Sequence, residues 1–210
     1  MNIILGIVLS YLIGAVPTAF IFGKCLKGID IREHGSGNVG ATNAFRVLGK
    51  GPGIVVLFID VMKGILPVTV VADFCGMTTV LLRVLLALIV VCGHNWTVFL
   101  NFKGGKGIAA SLGVLIGLTI KIAVIRPVLL ITVLVWLVCF LFTGFVSLAS
   151  IIAATILPII MVLTNQSIEI VALGIIFCIF VVVRHRPNIK RLLQGQESRI
   201  STPFRKSKTP

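Results

Sequence analysis

The feature that most limits the fold is a run of 42 residues, from 127 to 168, that contains no Asp, Glu, Lys or Arg. As one helix it would measure about 63 Å at 1.5 Å per residue, roughly twice the thickness of the hydrocarbon layer of a bilayer. The run must therefore fold back on itself. Thr143-Gly144 is the natural turn, with one membrane-spanning helix expected on each side of it.

The composition of the whole chain agrees with a membrane location. Of its 210 residues, 58% are hydrophobic and 12% are charged, and the mean hydropathy is +1.15. A soluble domain carries about 25% charged residues. Residues 1–23 hold no charge and have neither a basic start nor a small-residue cleavage site, so we expect a retained first span instead of a signal peptide.

Apolar stretches predict an all-α, polytopic integral membrane protein with seven transmembrane helices, or five if the middle of the chain is divided more conservatively. The expected spans are Ile3–Gly23, Pro52–Ala72, Val80–Phe99, Ile108–Val124, two within residues 127–168, and Ile168–Val183. Residues 1–197 are predicted to form a single membrane-embedded domain. Residues 198–210 are predicted to form a basic, disordered C-terminal tail.

The distribution of basic residues predicts the orientation. Both span counts are odd, so Lys24–Gly51, Asn101–Gly107 and the tail from Arg184 share one side and hold five, two and eight Lys or Arg respectively. The other side holds three. The positive-inside rule then puts the N-terminus outside and the C-terminus in the cytoplasm. It also explains the net charge of +13 without a nucleic-acid partner. Five scattered cysteines without CxxC spacing predict no disulfide or zinc site.

The first polar segment, Gly35 to Arg46, reads GSGNVGATNAFR. Three glycines in six positions allow the backbone to approach a ligand closely, and free N–H groups in such a loop can bind an anion. A helix is expected from Val39, with Ser36 or Asn38 as its cap. Its Thr42, Asn43 and Arg46 would share one face. This segment predicts a phosphate site.

The second polar segment begins with HNW (94–96) and continues with FKGGKGI (102–108). Lysine and glycine alternate directly before an expected helix start, a pattern that favours anion binding, although a tight basic turn has the same pattern. It is not a Walker A loop, because Lys106 is followed by glycine where Ser or Thr would hold magnesium.

The third polar segment runs from Arg184 to Glu197 and is mostly basic, as a cytoplasmic end would be. His185 and Asn188 stand out because their side chains contribute nothing to orientation. Glu197 is the one acidic residue after Arg184 and could pair with a basic side chain of the site.

Asp60 and Lys63 share a helical face in the second span. Charges within a membrane point to function. The favoured interpretation here is that the charges of Asp60 and Lys63 neutralise each other.

Together the three polar segments supply Arg, Lys, Ser, Asn and His side chains with almost no carboxylate. Charge-assisted donors of this kind suit a phosphorylated substrate. A divalent-metal enzyme would need clustered Asp or Glu, so we expect no metal and no cofactor.

The motifs GSGNVGATN, KGGKG and HRPNIKRLLQGQE, with HNW and TGFVSLAS (143–150), resemble the signature regions of the bacterial acyl-phosphate:glycerol-3-phosphate acyltransferases, the PlsY family. The resemblance implies a seven-helix enzyme of the bacterial inner membrane with its active site facing the cytoplasm. It would transfer a fatty acyl group from acyl phosphate to the 1-hydroxyl of glycerol 3-phosphate, giving lysophosphatidic acid and phosphate for phospholipid synthesis. Membrane lipid and the upstream enzyme that forms acyl phosphate would be its partners.

By the same resemblance the catalytic residues are Ser36, Arg46, Lys106, His185 and Asn188. The substrate-binding residues are Gly37, Asn38, Gly40, Thr42, Asn43, Lys103, Gly104, Gly105 and Glu197. An acyl phosphate is already activated, so the glycerol hydroxyl could attack it directly, with the leaving phosphate taking the proton. Protein catalysis would then consist of positioning and charge stabilisation. The chain has no His-x4-Asp dyad of the kind that acyl-CoA enzymes use.

Two other classes of function compete with this interpretation. A transporter for an organic phosphate would also carry basic and glycine-rich elements, but broken helices and inverted repeats near the midplane would be expected, and here the polar residues cluster at one face. A membrane phosphatase would need a nucleophilic His with a basic triad, or metal-binding aspartates, and the sequence shows neither pattern.

Overall fold

The computed structural model describes residues 2–204, and in that range the regular secondary structure is helical apart from a single β-bridge at Thr202. The all-α prediction is therefore confirmed. The α-helices are α1 (Ile3–Ala15), α2 (Thr18–Lys27), α3 (Ala41–Val47), α4 (Lys50–Leu66), α5 (Ala72–Phe74), α6 (Val80–Asn95), α7 (Ile108–Lys121), α8 (Arg126–Thr143), α9 (Val146–Leu163), α10 (Ile168–Arg184) and α11 (Arg186–Leu193). Short 3-10 helices cover Ile31–Glu33, Val98–Leu100 and Ala123–Ile125.

Four continuous helical stretches in the described chain are long and apolar enough to cross a membrane: Lys50–Phe74, Val80–Leu100, Ala123–Thr143 and Val146–Leu163. Two bent pairs raise the number of candidate spans to six: α1 with α2, bent by 40°, and α10 with α11, bent by 60°. The apolar helix α7 is shorter, at 14 residues.

The predicted turn at Thr143-Gly144 is confirmed, because α8 ends at Thr143 and Gly144 follows in the left-handed region with φ of 73°. The first span differs from its prediction. It breaks after Ala15, and the next helix begins only at Thr18. Pro17 accounts for the break, since proline lacks the N–H that a continuous helix requires and its ring clashes with the preceding turn.

A π-helical turn, Pro67–Val71, joins α4 to α5. Proline at its start cannot donate to the carbonyl four residues earlier, so the regular hydrogen-bond ladder is interrupted there. The carbonyl of Val68 accepts a hydrogen bond from Nη1 of the buried Arg83 at 2.6 Å. Nη2 of the same guanidinium binds Asp73 at 2.6 Å, and Asp73 also pairs with Lys121. Arg83 therefore stabilises the irregular turn from a neighbouring helix.

The described chain divides into two compact units, one that ends at Ala123 and one that begins at Val124. In the N-terminal unit, α4 and α7 approach closely through glycine. A Cβ added to Gly113 would overlap the carbonyl of Val61, and one added to Gly117 would overlap Val68. The space beside these two glycines is therefore occupied by α4 and the turn that follows it.

In the C-terminal unit, α9 packs against α8 and α10. Trp136 of α8 donates its indole N–H to the hydroxyl of Ser150 on α9 at 3.1 Å, which ties the two apolar helices together. The single domain that the sequence predicted for residues 1–197 stays a prediction.

Part of the predicted tail makes defined contacts with the end of α8. The N–H of Ile200 donates to the carbonyl of Gly144 at 2.9 Å, and the hydroxyl of Thr202 donates to that of Leu141 at 2.7 Å. Phe204 stacks on Phe142 with 5.2 Å between ring centroids. Disorder of residues 198–210 stays a prediction, although Ile200, Thr202 and Phe204 make these contacts. Residues 205–210 lie outside the described chain.

Candidate active site

The first polar segment is built around the side chain of Asn43, which is fully shielded from solvent. Its Oδ1 accepts a hydrogen bond from the N–H of Ser36 at 2.8 Å, and its Nδ2 donates to the carbonyls of Ile31 and His34 at 3.2 and 3.0 Å. Gly35 has φ of 62°, and a Cβ there would overlap the Asn43 amide. Asn43 therefore shapes the loop from inside, where the sequence predicted a contact with substrate.

The start of α3 also differs from the sequence prediction. The helix begins at Ala41 with Gly40 as its N-cap, and no side chain caps it, so neither Ser36 nor Asn38 has the predicted capping role. The physical reason is that Val39 is buried in the core of this unit, which keeps the chain extended up to Gly40. Of the remaining predicted residues, Ser36, Gly37 and Arg46 are exposed, while Asn38, Gly40 and Thr42 are half-buried.

An ion pair lies at the entrance to this loop. The guanidinium of Arg32 contacts both carboxylate oxygens of Asp30, with Nη2 to Oδ2 at 2.6 Å. These hydrogen bonds lower the pKa of Asp30 to about 2. Asp30 therefore stays ionised over the physiological pH range. Its negative charge is balanced by Arg32, so it adds little net charge beside the first polar segment.

The second polar segment is a tight loop folded onto the C-terminal end of α6. Asn101 and Phe102 lie consecutively in the left-handed region, with φ of 51° and 60°. The N–H of Phe102 donates to the carbonyl of Thr97 at 2.8 Å. The turn carries the chain back along α6 before α7 starts at Ile108, so the predicted helix start directly after the lysine–glycine motif is confirmed.

Gly104 and Gly105 donate their N–H groups to the carbonyls of Asn95 and His94, at 3.1 and 3.0 Å. A Cβ on Gly104 would overlap the His94 carbonyl, and one on Gly105 would overlap the His94 ring. The sequence predicted that these glycines bind an anion through their amides. Instead those amides hold the loop to α6. The flanking Lys103 is exposed, and Lys106 is half-buried.

Asp60 and Lys63 form a buried ion pair in α4, at 2.8 Å from Oδ1 to Nζ. Lys63 also donates to the carbonyl of Val16 at 2.5 Å and to the hydroxyl of Thr18, which in turn donates to Oδ1 of Asp60 at 3.0 Å. Each charge is neutralised by the other, as the favoured interpretation of the sequence expected. The pair also ties α4 to the break between α1 and α2.

In the C-terminal unit a second polar cluster surrounds Glu197. Oε1 accepts from Ser147 at 2.8 Å and from Asn188 Nδ2 at 2.7 Å, and Oε2 accepts from Arg191 Nε at 2.7 Å. Burial by itself would raise the pKa of this carboxyl, but the three hydrogen bonds outweigh it and lower the pKa of Glu197 below its ordinary value. The predicted pairing of Glu197 with a basic side chain is thus present, and Glu197 also fixes the Asn188 amide.

His185 is buried at the end of α10, with Nδ1 at 2.8 Å from the carbonyl of Val181. Because a carbonyl can only accept, Nδ1 carries a hydrogen and donates it. In the neutral ring Nε2 is then the nitrogen with a lone pair, so it is the atom that could accept a proton or a hydroxyl hydrogen bond.

Sequence reasoning gave no role to Asn95, Thr18, Thr97 or Ser147. Asn95 is fully buried and lies against Gly107, and Thr97 is 2% exposed. The motifs HNW and TGFVSLAS drew attention to the segments that hold Asn95 and Ser147, but Thr18 had no such signal. Its role follows only from the packing of α2 against α4.

These features define an integral membrane protein whose polar loops are rich in basic and amide side chains. A sequence profile described as Glycerol-3-phosphate acyltransferase matches residues 4–195. A glycerol-3-phosphate acyltransferase of Desulforudis audaxviator is 46% identical over 205 residues, covering 97% of this chain and 98% of the relative. One of Fusobacterium nucleatum is 43% identical over 193 residues, covering 92% and 95% respectively.

Solved structures agree with the sequence relatives. The glycerol 3-phosphate form of PlsY (YgiH), an integral membrane glycerol 3-phosphate acyltransferase, has a TM-score of 0.85 and 37% identity, covering 95% of this chain and 96% of that one. Its lysophosphatidic acid form has a TM-score of 0.82 and 36% identity, with the same coverage of both chains. The chain therefore belongs to the PlsY family of membrane glycerol-3-phosphate acyltransferases, and the resemblance seen in its motifs is confirmed.

Proposed function

We propose that this chain transfers a fatty acyl group from acyl phosphate to the 1-hydroxyl of glycerol 3-phosphate, giving lysophosphatidic acid and inorganic phosphate. The observation that carries the proposal is the similarity over 95% of the chain to a PlsY solved with glycerol 3-phosphate and with lysophosphatidic acid. Acceptor and product are taken from that relative. The acyl phosphate donor is what the motif resemblance implies, and the lack of a His-x4-Asp dyad in the sequence agrees with it.

Direct transfer from acyl phosphate needs no protein nucleophile. The hydroxyl oxygen attacks the carbonyl carbon, the bond from that carbon to the phosphate oxygen breaks, and the hydroxyl proton passes to the departing phosphate. The protein must then hold two phosphorylated molecules in reacting geometry and stabilise the charge that develops. Basic and amide side chains suit that task, and no cofactor is required.

In the N-terminal unit we assign phosphate binding to Arg46, Lys103 and Lys106. Both lysines belong to a loop whose backbone is fixed by the carbonyls of α6, so little ordering is needed when an anion binds. Ser36, Gly37, Asn38, Gly40 and Thr42 of the glycine loop would orient the same groups. Asn43 supports them from within the loop.

In the C-terminal unit we assign orientation of the glycerol hydroxyl to His185 and Asn188. The Nδ1–H of His185 is held by a backbone carbonyl, which makes Nε2 the accepting atom of the neutral ring. Glu197 fixes the amide of Asn188 by accepting from its Nδ2. Its role would be to position Asn188 and not to bind substrate directly.

We further propose seven spans, formed by the four continuous helical stretches, the two bent pairs and α7. The concentration of Lys and Arg in the three polar segments supports an outside N-terminus, a cytoplasmic C-terminus and an active site that faces the cytoplasm of a bacterial inner membrane. That side would also receive acyl phosphate from the enzyme that forms it.

The test is turnover by the purified protein with palmitoyl phosphate and glycerol 3-phosphate, without added metal or coenzyme A. We expect phosphate and lysophosphatidic acid in equal amounts. Loss of activity unless palmitoyl-coenzyme A is supplied would overturn the proposed donor.

The phosphate assignment is tested by Arg46→Ala and Lys106→Ala. Each should lower kcat/KM by about 100-fold or more, because each removes a charged group that binds a substrate phosphate and stabilises the charge that develops on the leaving phosphate. Lys50→Ala is the matched control: Lys50 is an exposed basic residue at the start of α4, four residues after Arg46, and has no assigned role. Near-normal turnover of either test variant would show that the assignment is wrong.

A further inference from the structure

A small cavity of about 10 Å³ lies within the N-terminal unit, between the α1–α2 break, α4 and the end of α6. Its polar lining comes from Thr18, Asp60, His94, Thr97 and Gly105. The four side chains among these are all buried. A space of this size accommodates about one water molecule and nothing larger.

Asp60, one of the lining residues, has one carboxylate oxygen without a hydrogen-bond partner among residues 2–204. Oδ1 accepts hydrogen bonds from Thr18 and Lys63, whereas Oδ2 is buried and accepts none from residues 2–204. Buried carboxylate oxygens in native proteins are almost always hydrogen-bonded, either to protein or to ordered water. A cation is not the expected occupant, because the Lys63 ammonium already supplies positive charge to the same carboxylate.

A second acceptor in the lining completes the set that a water molecule needs. The hydroxyl of Thr97 donates to the carbonyl of Ala15 at 2.5 Å and accepts from the N–H of Phe99 at 3.2 Å. A hydroxyl oxygen can accept two hydrogen bonds, so one acceptor position of Thr97 remains. The two hydrogens of one water molecule match the two acceptors, Asp60 Oδ2 and Thr97 Oγ1.

We propose that this cavity is a binding site for a single ordered water, which donates to Asp60 and to Thr97 and so joins α4 to the end of α6. Asp60 is then a positioning residue for the second polar segment. Thr97 and His94 accept the backbone hydrogen bonds of Phe102 and Gly105, which hold the loop that carries Lys103 and Lys106. The expected effect on catalysis rests on the phosphate-binding role proposed for those lysines. The water site itself does not depend on that role.

The direct test is a structure of the unaltered protein in lipid, at a resolution that shows ordered water. We expect one density peak within hydrogen-bond distance, about 2.5–3.2 Å, of both Asp60 Oδ2 and Thr97 Oγ1. A cavity without density, or one filled by a side chain, would overturn the proposal. This outcome does not depend on which acyl donor the enzyme uses.

The kinetic test uses Asp60→Asn and Val39→Ile. Asp60→Asn preserves the shape of the side chain but removes its negative charge and replaces one accepting oxygen by a donating NH2 group. Val39→Ile adds a methyl group to a residue that lines the cavity and changes no charge. Both should lower kcat/KM for glycerol 3-phosphate by about tenfold per folded molecule, because a small displacement of the lysine loop is amplified in the rate. The double variant should be no worse than either single one, because both act on the same water.

Asp73→Asn is the matched control, because Asp73 lies on the same continuous helical stretch as Asp60, Lys50–Phe74. The substitution removes a carboxylate that pairs with the buried Arg83 of α6. It should lower the melting temperature and leave kcat/KM unchanged. If Asp60→Asn does not fold, Val39→Ile still decides the question. Unchanged kcat/KM in Val39→Ile, measured in folded protein, would overturn the positioning role. Loss of all turnover in the unaltered protein would instead refute the proposed acyl donor.

Discussion

Removing the carboxylate of Glu197 is the perturbation whose effect the structure defines most closely. Two of its donors, Ser147 and Asn188, are 6% and 5% exposed, so both hydrogen bonds are buried. In Glu197→Ala these donors lose their acceptor, and an unsatisfied buried polar group costs about 1–3 kcal/mol, which sums to roughly 2–6 kcal/mol. In Glu197→Gln the amide oxygen can still accept from both donors.

The Gln variant loses mainly its bond to Arg191. That side chain is 35% exposed, and a solvent-screened pair of this kind is worth about 1 kcal/mol or less. For a chain of this size the melting temperature changes by about 2–4 °C per kcal/mol. If Glu197→Ala costs about 4 kcal/mol, the middle of the range above, it should lower the melting temperature by about 8–16 °C. Glu197→Gln should lower the melting temperature by at most about 4 °C.

The assay is thermal unfolding of each variant in the same detergent, followed by intrinsic fluorescence, with turnover measured below the transition. Glu33→Ala serves as control, because Glu33 is an exposed carboxylate. Its melting temperature should equal that of the unaltered protein. Equal melting temperatures for the Ala and Gln variants would refute the reasoning, since only the carbonyl oxygen distinguishes them at the buried donors.

Three further predictions follow from the same structure. Because the pKa of Glu197 is lower in the folded state, the ionised carboxylate stabilises the fold at pH values above its ordinary pKa of 4.5. This stabilisation is lost as the pH falls through the folded-state pKa, so the melting temperature should decline more steeply in acid for the unaltered protein than for Glu197→Gln. Gly35→Ala should lower both melting temperature and turnover, whereas Gly28→Ala, with φ of 67° and open space, should show only backbone strain of about 1–2 kcal/mol. Gly113→Ala should separate α4 from α7 and destabilise the detergent-solubilised protein in a melting assay, whereas the exposed helical Gly51→Ala should raise its stability by about 0.5–1 kcal/mol.

The membrane class and the turn at Gly144 were predictable because hydrocarbon thickness sets a limit on any uncharged run. The break at Pro17 was missed, although proline supplied the signal, because the apolar run continues through it. Composition detects burial in lipid over twenty residues but does not resolve where within such a run a helix ends.

The site residues show a different limit. Glycines at 104 and 105 suit an anion-binding loop and a loop packed closely on a helix equally well, and only the observed contacts with His94 separate these cases. Likewise, an asparagine in a polar motif reads as a ligand contact, yet Asn43 binds backbone carbonyls of its own loop. The partners of such groups are set by tertiary folding, which spacing along the chain does not encode.

The π-helical turn at Pro67–Val71 determines in which direction around the helix axis the side chains after it point, within the same span. One residue corresponds to about 100° of helical rotation, so deleting a single residue from the turn would restore a regular helix and rotate the downstream face by that angle. Asp73 would then point away from Arg83, although every charged residue of the chain would still be present. Chain length in this short stretch is therefore as specific a requirement as the identity of the two charges it aligns.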